Sequence, residues 1–475
     1  MTKPDNGSYK NQIHVVMSLF TLLFLVMMGY FAYYVQFSSI DDINNTYNPR
    51  QETLAQKVVR GKIISADGQT LAYTQEGNGT EERIYPYGSI FAHVVGYTGK
   101  GKSGIEQIAN ISLLTSNASL NEKLSREMAE KKNIGDNIIT TLDTDVQKTA
   151  YDALGLYKGA VVAMDPDTGR IIAMASNPGF DPNTIAKDWD ELNTMTATSP
   201  LLNRATQGLY PPGSTFKIVT LLEYLRENAD CEDYAFNCKG SFTYDGVTIR
   251  CYHGSVHGQI DLKTSFAKSC NSSFANIGSS LNNTSFRKTA GDLLFNEELP
   301  IKLNYRQSVF ELTGKSDTEE KLHTAIGQGK TVISPLHMAM ITAAIADGGM
   351  SKKPYVIDRI ENYTGETVKK YEPSNYKRLM SDKEANFIDG YMKEVVQSGT
   401  GTKLLNQPYE AAGKTGSAEF GSTKGESHAW FTGYAAQNDR RLVVTVIIEG
   451  AGSGSDYAVP AAKRVFDTYF GKYGT

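Results

Sequence analysis

The longest uninterrupted apolar stretch of the chain lies near its amino terminus. From Val15 to Val35 the sequence reads VVMSLFTLLFLVMMGYFAYYV and contains no formal charge. As an α-helix this stretch is about 30 Å long, which matches the hydrocarbon thickness of a bilayer. We therefore predict a transmembrane helix over residues 13–37, after a cytoplasmic tail over residues 1–12. A cleaved signal peptide is the alternative, but the stretch exceeds an ordinary h-region and no A-x-A-like site follows it.

Charges on either side of this stretch predict its orientation. Lys3 and Lys10 precede it, whereas Asp41 and Asp42 follow it. Because positive charge is typical of the cytoplasmic side of a span, the bulk of the chain is expected outside the cytoplasm. The pattern predicts a single-pass protein of the cell membrane.

Beyond the apolar stretch the pattern changes twice. Residues 38–138 are polar and irregular, with a charged helical stretch near Leu120 to Lys132, which favours a membrane-proximal pedestal or interaction domain. From residue 139 the apolar runs GAVVAM and RIIAMAS flank the turn DPDTG and predict a hairpin. A further β-branched run, RLVVTVIIEG, precedes a helix candidate. We predict that residues 139–475 form a second domain, with a sheet flanked by helices.

Composition and charge narrow the range of functions. The 475 residues fit two or three folded units of about 100 to 150 residues each. With 48 basic and 52 acidic residues the net charge is only -4. No nucleic acid is therefore expected as a partner.

The first candidate for chemistry is a serine at a predicted helix start. The turn sequence GLYPPG precedes Ser214, and apolar residues at helical spacing follow it. At such a position free backbone N–H groups favour a developing anion, and Lys217 comes round beside the serine. A desolvated lysine near a second cation is neutral enough to take the serine proton. The alternative is an ordinary N-cap serine, because three other Ser-x-x-Lys sequences occur in the chain.

A second element, Ser269-Cys270-Asn271, follows in a stretch with helical character. The hydroxyl of Ser269 can pass a proton between a base and a leaving group, and the amide of Asn271 can hold a substrate carbonyl. A polar turn or a helix cap is the alternative interpretation.

The third element, Lys414-Thr415-Gly416-Ser417, contains the only Lys-Thr-Gly sequence of the chain. Gly416 permits close approach of the backbone to a ligand, Lys414 supplies positive charge, and the hydroxyls of Thr415 and Ser417 can bind a carboxylate. Alone it could be a surface turn. The three elements in this order are the combination typical of penicillin-binding proteins and β-lactamases.

With these motifs the chain resembles the class B penicillin-binding proteins, single-span D,D-transpeptidases that cross-link peptidoglycan. The likeness runs from about Arg60 to the carboxyl terminus. It includes RGKIISADGQTLA near the membrane and TTLDTDVQKTAYDAL, GAVVAMDPDTGRIIAMAS, GQG and HAWFTGYA in the catalytic part. The resemblance implies an α+β protein with the serine β-lactamase and penicillin-binding transpeptidase fold, an antiparallel sheet flanked by helices.

The resemblance also implies a role for each motif residue. Ser214 would attack the penultimate D-Ala carbonyl of a peptidoglycan stem peptide, with Lys217 as its base. Ser269 would relay the proton with Lys414 nearby, and Asn271 would orient the acyl chain. β-lactam antibiotics would acylate the same serine.

Further residues would hold the donor. Thr415 and Ser417 would meet its carboxylate, and the backbone N–H groups of Ser214 and Ser417 would form the oxyanion hole. Ser417 stands where the family often has threonine, which keeps the hydroxyl. No glycosyltransferase domain fits before the catalytic part, so a multi-span glycan polymerase is the expected partner, reached through the anchor and the pedestal.

Two rival functions use the same fold. A β-lactamase or D,D-carboxypeptidase would pass the acyl group to water. A non-catalytic receptor would bind a β-lactam or a muropeptide without turnover. The long pedestal and the class B motifs favour the transpeptidase over the hydrolases, and the full set of motif residues favours it over the receptor.

The four cysteines, Cys231, Cys238, Cys251 and Cys270, leave three interpretations open. A Cys238–Cys251 disulfide fits an extracellular location. A structural zinc could be held by Cys238, Cys251, His257 and Cys270. Alternatively, Cys270 is a small buried apolar residue. No cofactor for catalysis is expected, since the other histidines form no H-E-x-x-H set.

Overall fold

A computed structural model of the protein describes residues 6–37, 50–77, 80–420 and 426–474. Its first element is the helix Asn6–Phe37. Within it, Lys10–Tyr34 is long and apolar enough to cross a membrane. Its side chains from residue 10 to residue 33 are exposed, so this helix is not a core helix of a soluble domain. The flanking charges Lys3, Asp41 and Asp42, from which the orientation was predicted, lie outside the described residues.

The part that follows is built from short elements around a buried ion cluster. The carboxylate of Glu106 accepts from Arg60 Nε at 2.7 Å and from Arg83 Nε at 2.8 Å. Burial alone would raise the pKa of Glu106, but the two guanidinium groups outweigh it and lower the pKa. The elements are the helices Arg50–Lys57, Ala92–Val95, Gly104–Ile108, Asn110–Leu113 and Leu120–Met128 and the strands Val58–Val59, Ile63–Ile64, Thr70–Gly77, Thr80–Ile84, Asn133–Ile134 and Asn137–Thr140.

A five-stranded antiparallel sheet forms the centre of the catalytic part. In spatial order its strands are Glu410–Glu419, Ser427–Gln437, Arg440–Ile448, Gly159–Met164 and Ile171–Asn177. The inner strands are buried along almost their whole length because helices cover both faces. Thr144–Leu154 and Val459–Tyr473 pack on one face, and Pro335–Ala346 packs on the other. The predicted α+β architecture and the predicted hairpin are confirmed.

The remaining elements surround this sheet. The helices are Ile185–Thr194, Lys217–Glu227, Leu262–Ala267, Asn271–Ser280, Asn283–Asp292, Thr318–Ala325 and Asp382–Gln397. Short antiparallel pairs are formed by Ala235–Cys238 with Gly258–Asp261, Ser241–Tyr244 with Val247–Arg250, and Met350–Lys352 with Asn375–Arg378.

A second sheet joins the two parts of the chain. Its six strands, in order, are Thr367–Lys370, Ile357–Glu361, Asn137–Thr140, Ile63–Ile64, Thr70–Gly77 and Thr80–Ile84. The strand Asn137–Thr140 therefore runs across the boundary predicted at residues 138 and 139. Because strands of both parts share one hydrogen-bonded sheet, the pedestal and the catalytic part are joined by backbone pairing.

Candidate active site

Ser214 lies in a single 3-10 turn, Gly213–Phe216, which runs directly into the helix Lys217–Glu227. The predicted position at a helix start is confirmed, but Ser214 is not the N-cap residue. The ring of Phe216 is fully buried and stacks on Phe310. Ser214 therefore stays partly exposed on a turn whose far end is anchored in the core.

The Lys-Thr-Gly strand lies directly against this turn. A Cβ on Gly416 would lie 3.1 Å from the carbonyl oxygen of Pro212, and one on Gly213 would lie 3.0 Å from Cα of Ala418. The φ of Gly213 is +53°, a conformation that favours glycine. Gly416 was predicted to allow approach of a ligand; the structure places it in contact with the turn that carries Ser214. These glycines hold the strand Glu410–Glu419 beside Ser214.

Two buried lysines meet at one serine hydroxyl. Lys217 Nζ donates to the carbonyl of Ser269 at 2.7 Å, to its Oγ at 3.2 Å and to Asn271 Oδ1 at 2.8 Å. Lys414 Nζ donates to Ser269 Oγ at 2.9 Å and to the carbonyl of Thr415 at 3.0 Å. Both lysines are fully buried. When both lone pairs of Ser269 Oγ accept, its own O–H is free to point toward a ligand.

The backbone at Ser269 is unusual for a residue other than glycine. Its φ is +56°, between the helices Leu262–Ala267 and Asn271–Ser280. Such a conformation costs on the order of 1 kcal/mol or more and persists where the surroundings impose it. Here two backbone hydrogen bonds do so, from the N–H of Ser269 to Phe266 and from the N–H of Cys270 to Ser265.

Burial changes the protonation of both amines. Loss of water lowers the pKa of Lys217 to about 7, although the nearby thiol groups of Cys270 and Cys251 act in the opposite direction. Burial and then the charge of Lys217 lower the pKa of Lys414 well below its ordinary value. Two positive charges on the pair are therefore unfavourable at neutral pH, and one amine is available as a base.

The predicted contact between Ser214 and Lys217 is not formed in the unliganded chain. Among the described residues, no hydrogen bond joins Ser214 Oγ to Lys217 Nζ, because the amine is turned toward Ser269 and Asn271. Catalytic hydrogen bonds are often long in unliganded enzymes and tighten when substrate binds.

A cavity of about 210 Å³ opens above these groups. Six residues of the three motifs line it, namely Ser214, Ser269, Asn271, Thr415, Gly416 and Ser417. Lys217 and Lys414 are buried and donate to Ser269 Oγ, which belongs to the lining of this cavity. The structure thus brings together every residue of the three predicted elements.

The other residues that line the cavity were not predicted to do so; His257 was predicted only as a zinc ligand. They are Tyr252, Ser255, His257, Lys268, Thr400, Ser453 and Ser455. Thr400 Oγ1 lies 2.5 Å from Thr415 Oγ1, and the N–H of Gly454 donates to Ser417 Oγ at 3.3 Å. Small polar residues in loops carry no local signal of such proximity, and only the tertiary fold brings them to the cleft.

A cluster of sulfur and nitrogen atoms adjoins the cleft. Cys251 Sγ lies 3.6 Å from the Sγ atoms of both Cys238 and Cys270, and His257 Nδ1 lies 3.4 Å from Cys238 Sγ. The four ligand atoms all lie within 4.8 Å of one another. All four cysteines of the chain are free thiols, and Cys231 is buried away from this cluster. The hydrogen bond with Cys270 lowers the pKa of Cys251 and favours its thiolate.

Two protein families match the chain. Residues 159–468 match the penicillin binding protein transpeptidase domain, and residues 60–138 match the penicillin binding protein A dimerisation domain. The first match covers Ser214, Lys217, Lys414 and the central sheet.

Individual relatives agree with these matches. Peptidoglycan D,D-transpeptidase PbpA of Mycolicibacterium smegmatis is 31% identical over 418 residues, which cover 83% of this chain and 84% of the relative. The D,D-transpeptidase domain of a peptidoglycan glycosyltransferase from Eggerthella lenta has a TM-score of 0.78 at 32% identity, over 88% of this chain and 99% of that one. The imipenem acyl-enzyme complex of penicillin-binding protein A from M. tuberculosis has a TM-score of 0.79 at 27% identity, over 87% of this chain and 99% of that one. The chain therefore belongs to the penicillin-binding protein transpeptidase family.

Proposed function

We propose that this protein is a D,D-transpeptidase that cross-links peptidoglycan stem peptides through an acyl-enzyme on Ser214, and that β-lactams inhibit it by acylating the same serine. The convergence of the three motifs on one cleft above two buried lysines carries this proposal. We further propose that the helix Asn6–Phe37 anchors the protein in the cell membrane as a single span, with the bulk of the chain outside the cytoplasm.

Acylation begins with proton removal. In its neutral form Lys217 takes the proton of Ser214, whose oxygen then bonds to the penultimate D-Ala carbonyl carbon. The peptide C–N bond breaks, and the departing amine of the terminal D-Ala needs a proton. Ser269 supplies it, because its hydroxyl contacts both Lys217 and Lys414 and can be reprotonated from either amine. An amine of a neighbouring stem peptide then reverses these steps and takes the acyl group.

The remaining motif residues hold the donor. Asn271 is fixed at both ends, since its Oδ1 accepts from Lys217 and its Nδ2 donates to the carbonyl of Arg250 at 3.1 Å. The second Nδ2 hydrogen is left for a substrate carbonyl. Thr415 and Ser417 bind the donor carboxylate. The backbone N–H groups of Ser214 and Ser417 stabilise the oxyanion, a contribution of roughly 3 kcal/mol for each donor.

Replacement of Ser214 tests the nucleophile. Ser214→Ala should abolish covalent labelling of the full-length protein by a fluorescent penicillin, because it removes the hydroxyl on which the proposed acyl-enzyme forms. The matched control is Ser285→Ala, which alters an exposed serine in another Ser-x-x-Lys sequence and should label normally. Equal labelling of both variants would refute the assignment. Rapid turnover of benzylpenicillin in place of a long-lived adduct would instead identify a hydrolase.

The pH dependence of acylation tests the base. Because burial lowers the pKa of Lys217 to about 7, its neutral form grows as pH rises through that value. The second-order rate constant for β-lactam acylation should therefore fall about tenfold for each pH unit below 7. In Lys217→Arg the guanidinium group cannot lose its proton, so the acylation rate constant should be lower by about a hundredfold or more. Lys288→Arg, on the surface Ser-x-x-Lys sequence, should keep the wild-type profile; a flat wild-type profile would contradict the role of Lys217.

For the glycan polymerase, we propose a docking surface on the pedestal helix Leu120–Met128. Leu120, Leu124 and Met128 are 72%, 46% and 85% exposed, and their spacing of four residues puts them on one helix face. The opposite face is polar and turned toward the domain, where Arg126 Nε donates to the carbonyl of Lys132 at 2.7 Å. An apolar stripe that faces outward is typical of an interaction surface.

The position of this stripe favours a membrane-embedded partner. The helix leads into the strand Asn133–Ile134, which pairs with Val58–Val59. That strand directly follows Arg50–Lys57, the first described element after the apolar anchor helix, and Lys132 Nζ donates to the carbonyl of Ala55 at 3.3 Å. Lys132, four residues beyond the stripe, therefore contacts the first described segment after the anchor helix, which favours a multi-span polymerase in the membrane as the occupant of the stripe.

A charge in the stripe tests the docking surface. Leu124→Asp should weaken co-purification with the co-expressed polymerase about tenfold, since a buried leucine side chain contributes roughly 1.5 kcal/mol or more. Asn121→Asp places the same charge on the exposed helix surface beside the stripe and should bind like wild type. Labelling by fluorescent penicillin reports the folding of each variant. Unchanged binding of Leu124→Asp would exclude this helix.

We also propose a structural zinc ion held by Cys238, Cys251, His257 and Cys270. Thiolates at about 2.3 Å from a tetrahedral zinc are about 3.8 Å apart, close to the 3.6 Å between neighbouring sulfur atoms here. The same distance is far longer than the roughly 2.05 Å of a disulfide. Zinc would fix the loops around Cys270, the residue between Ser269 and Asn271, and would take no part in the chemical steps.

Metal analysis of the purified protein tests this proposal. We expect one zinc per chain, lost in Cys251→Ser, and a lower melting temperature for that variant. Cys231→Ser removes a buried cysteine outside the cluster and should retain the metal. Protein without zinc and with only two reactive thiols after unfolding would instead indicate a disulfide.

A further inference from the structure

Lys268 gives the cleft a cation that the proposed reaction does not use. It lines the same cavity as Ser214 and Asn271, and its side chain is exposed. Across the described residues its ammonium group has neither an ion pair nor a hydrogen bond. Two other lysines differ in this respect. Lys263, on the helix that Lys268 caps, pairs with Glu394 at 3.4 Å, and Lys403 pairs with Asp456, the neighbour of the lining residue Ser455, at 2.9 Å.

The backbone fixes the point from which this side chain emerges. Lys268 is the C-cap of the helix Leu262–Ala267, and its N–H donates to the carbonyl of Thr264 at 2.9 Å. The next residue is Ser269, whose hydroxyl joins the two buried lysines. Lys268 is thus held on the same rigid turn as the catalytic hydroxyl, although its own side chain is free to reach a ligand.

The cleft carries positive charge and no negative charge. None of the thirteen residues that line the cavity is an aspartate or a glutamate. Lys217 and Lys414 are fully buried and already bonded to Ser269, so Lys268 is the lysine of the cleft that a ligand can meet directly. A cleft lined by one sign of charge attracts ligands of the opposite sign.

The position of Lys268 indicates which part of the ligand it meets. The terminal carboxylate of the donor is assigned to Thr415 and Ser417 on the strand Glu410–Glu419. Lys268 lies on the other wall, three residues before Asn271, which orients the acyl chain. A cation there faces the acyl part of the donor.

We propose that Lys268 binds a second carboxylate, carried by the acyl part of the donor peptide, and makes the enzyme selective for donors that bear one. This inference rests on the proposed function of the cleft. The ligand class is a carboxylate-substituted acyl group, as in a stem peptide whose diamino acid carries a free carboxyl.

Two penicillins that differ by one carboxylate test the proposal. Carbenicillin is benzylpenicillin with an added carboxylate on its acyl side chain. In each variant the acylation rate constant for benzylpenicillin is the internal reference. Lys268→Gln should lower the ratio of the carbenicillin to the benzylpenicillin rate constant about three- to fivefold, as loss of a solvent-accessible ion pair does. Lys268→Arg should retain the ratio, and raised salt should lower it in the wild type but not in Lys268→Gln.

The control is Lys263→Gln, which removes a positive charge from the same helix at a position already paired with Glu394. It should leave the ratio unchanged. An equal effect in both glutamine variants, or no effect in either, would overturn the proposal. If Lys268→Gln does not fold, the wild type alone decides: a ratio of carbenicillin to benzylpenicillin rate constants that does not change with salt would also overturn the proposal. Absence of acylation by both penicillins in the wild type would instead refute the proposed function itself.

Discussion

The chemistry of this protein depends on two amines buried around one hydroxyl. Lys217 and Lys414 have no access to water, and both contact Ser269 Oγ. A low-dielectric site cannot hold two ammonium groups so close together, so burial and mutual repulsion together release a free amine near neutral pH. Neither lysine alone would supply both a base and a nearby proton donor.

Close backbone packing keeps this arrangement in place. Gly213 and Gly416 let the turn that carries Ser214 and the Lys-Thr-Gly strand approach each other to a distance that a side chain would prevent. Ser269 is held in a left-handed conformation by hydrogen bonds on either side of it. Gly327 contributes in the same way, since a Cβ there would lie 1.9 Å from the carbonyl oxygen of Gly213, whose N–H donates to the carbonyl of Gly327 at 2.8 Å. The site is therefore defined as much by missing side chains as by reactive ones.

Sequence reasoning predicted the motif residues and a sheet flanked by helices because both leave local signals, and the family fold followed from the resemblance that the motifs carry. The apolar runs of the central hairpin, the turn before Ser214 and the Lys-Thr-Gly sequence can each be read within a few residues. Three features could not be predicted in this way: the contact of Thr400 with Thr415, the orientation of Lys217 toward Asn271, and the shared sheet of pedestal and catalytic part. Each depends on chain segments that are far apart in sequence and meet only in the folded protein.

Cys270 connects the reactive centre to the rest of its lobe. It is the N-cap of Asn271–Ser280, and its neighbours on both sides contact Lys217. Its sulfur lies against Cys251, on the segment between the strand Val247–Arg250 and the cleft residue Tyr252. Any change that moves this sulfur must move Ser269 or Asn271 as well, because the helix cap and the left-handed turn leave the backbone little freedom. The cysteine cluster therefore acts on Lys217 in two ways. It sets where the hydroxyl of Ser269 and the amide of Asn271 stand relative to the two amines, and the charge of Cys270 and Cys251 raises the pKa of Lys217 against the larger effect of burial.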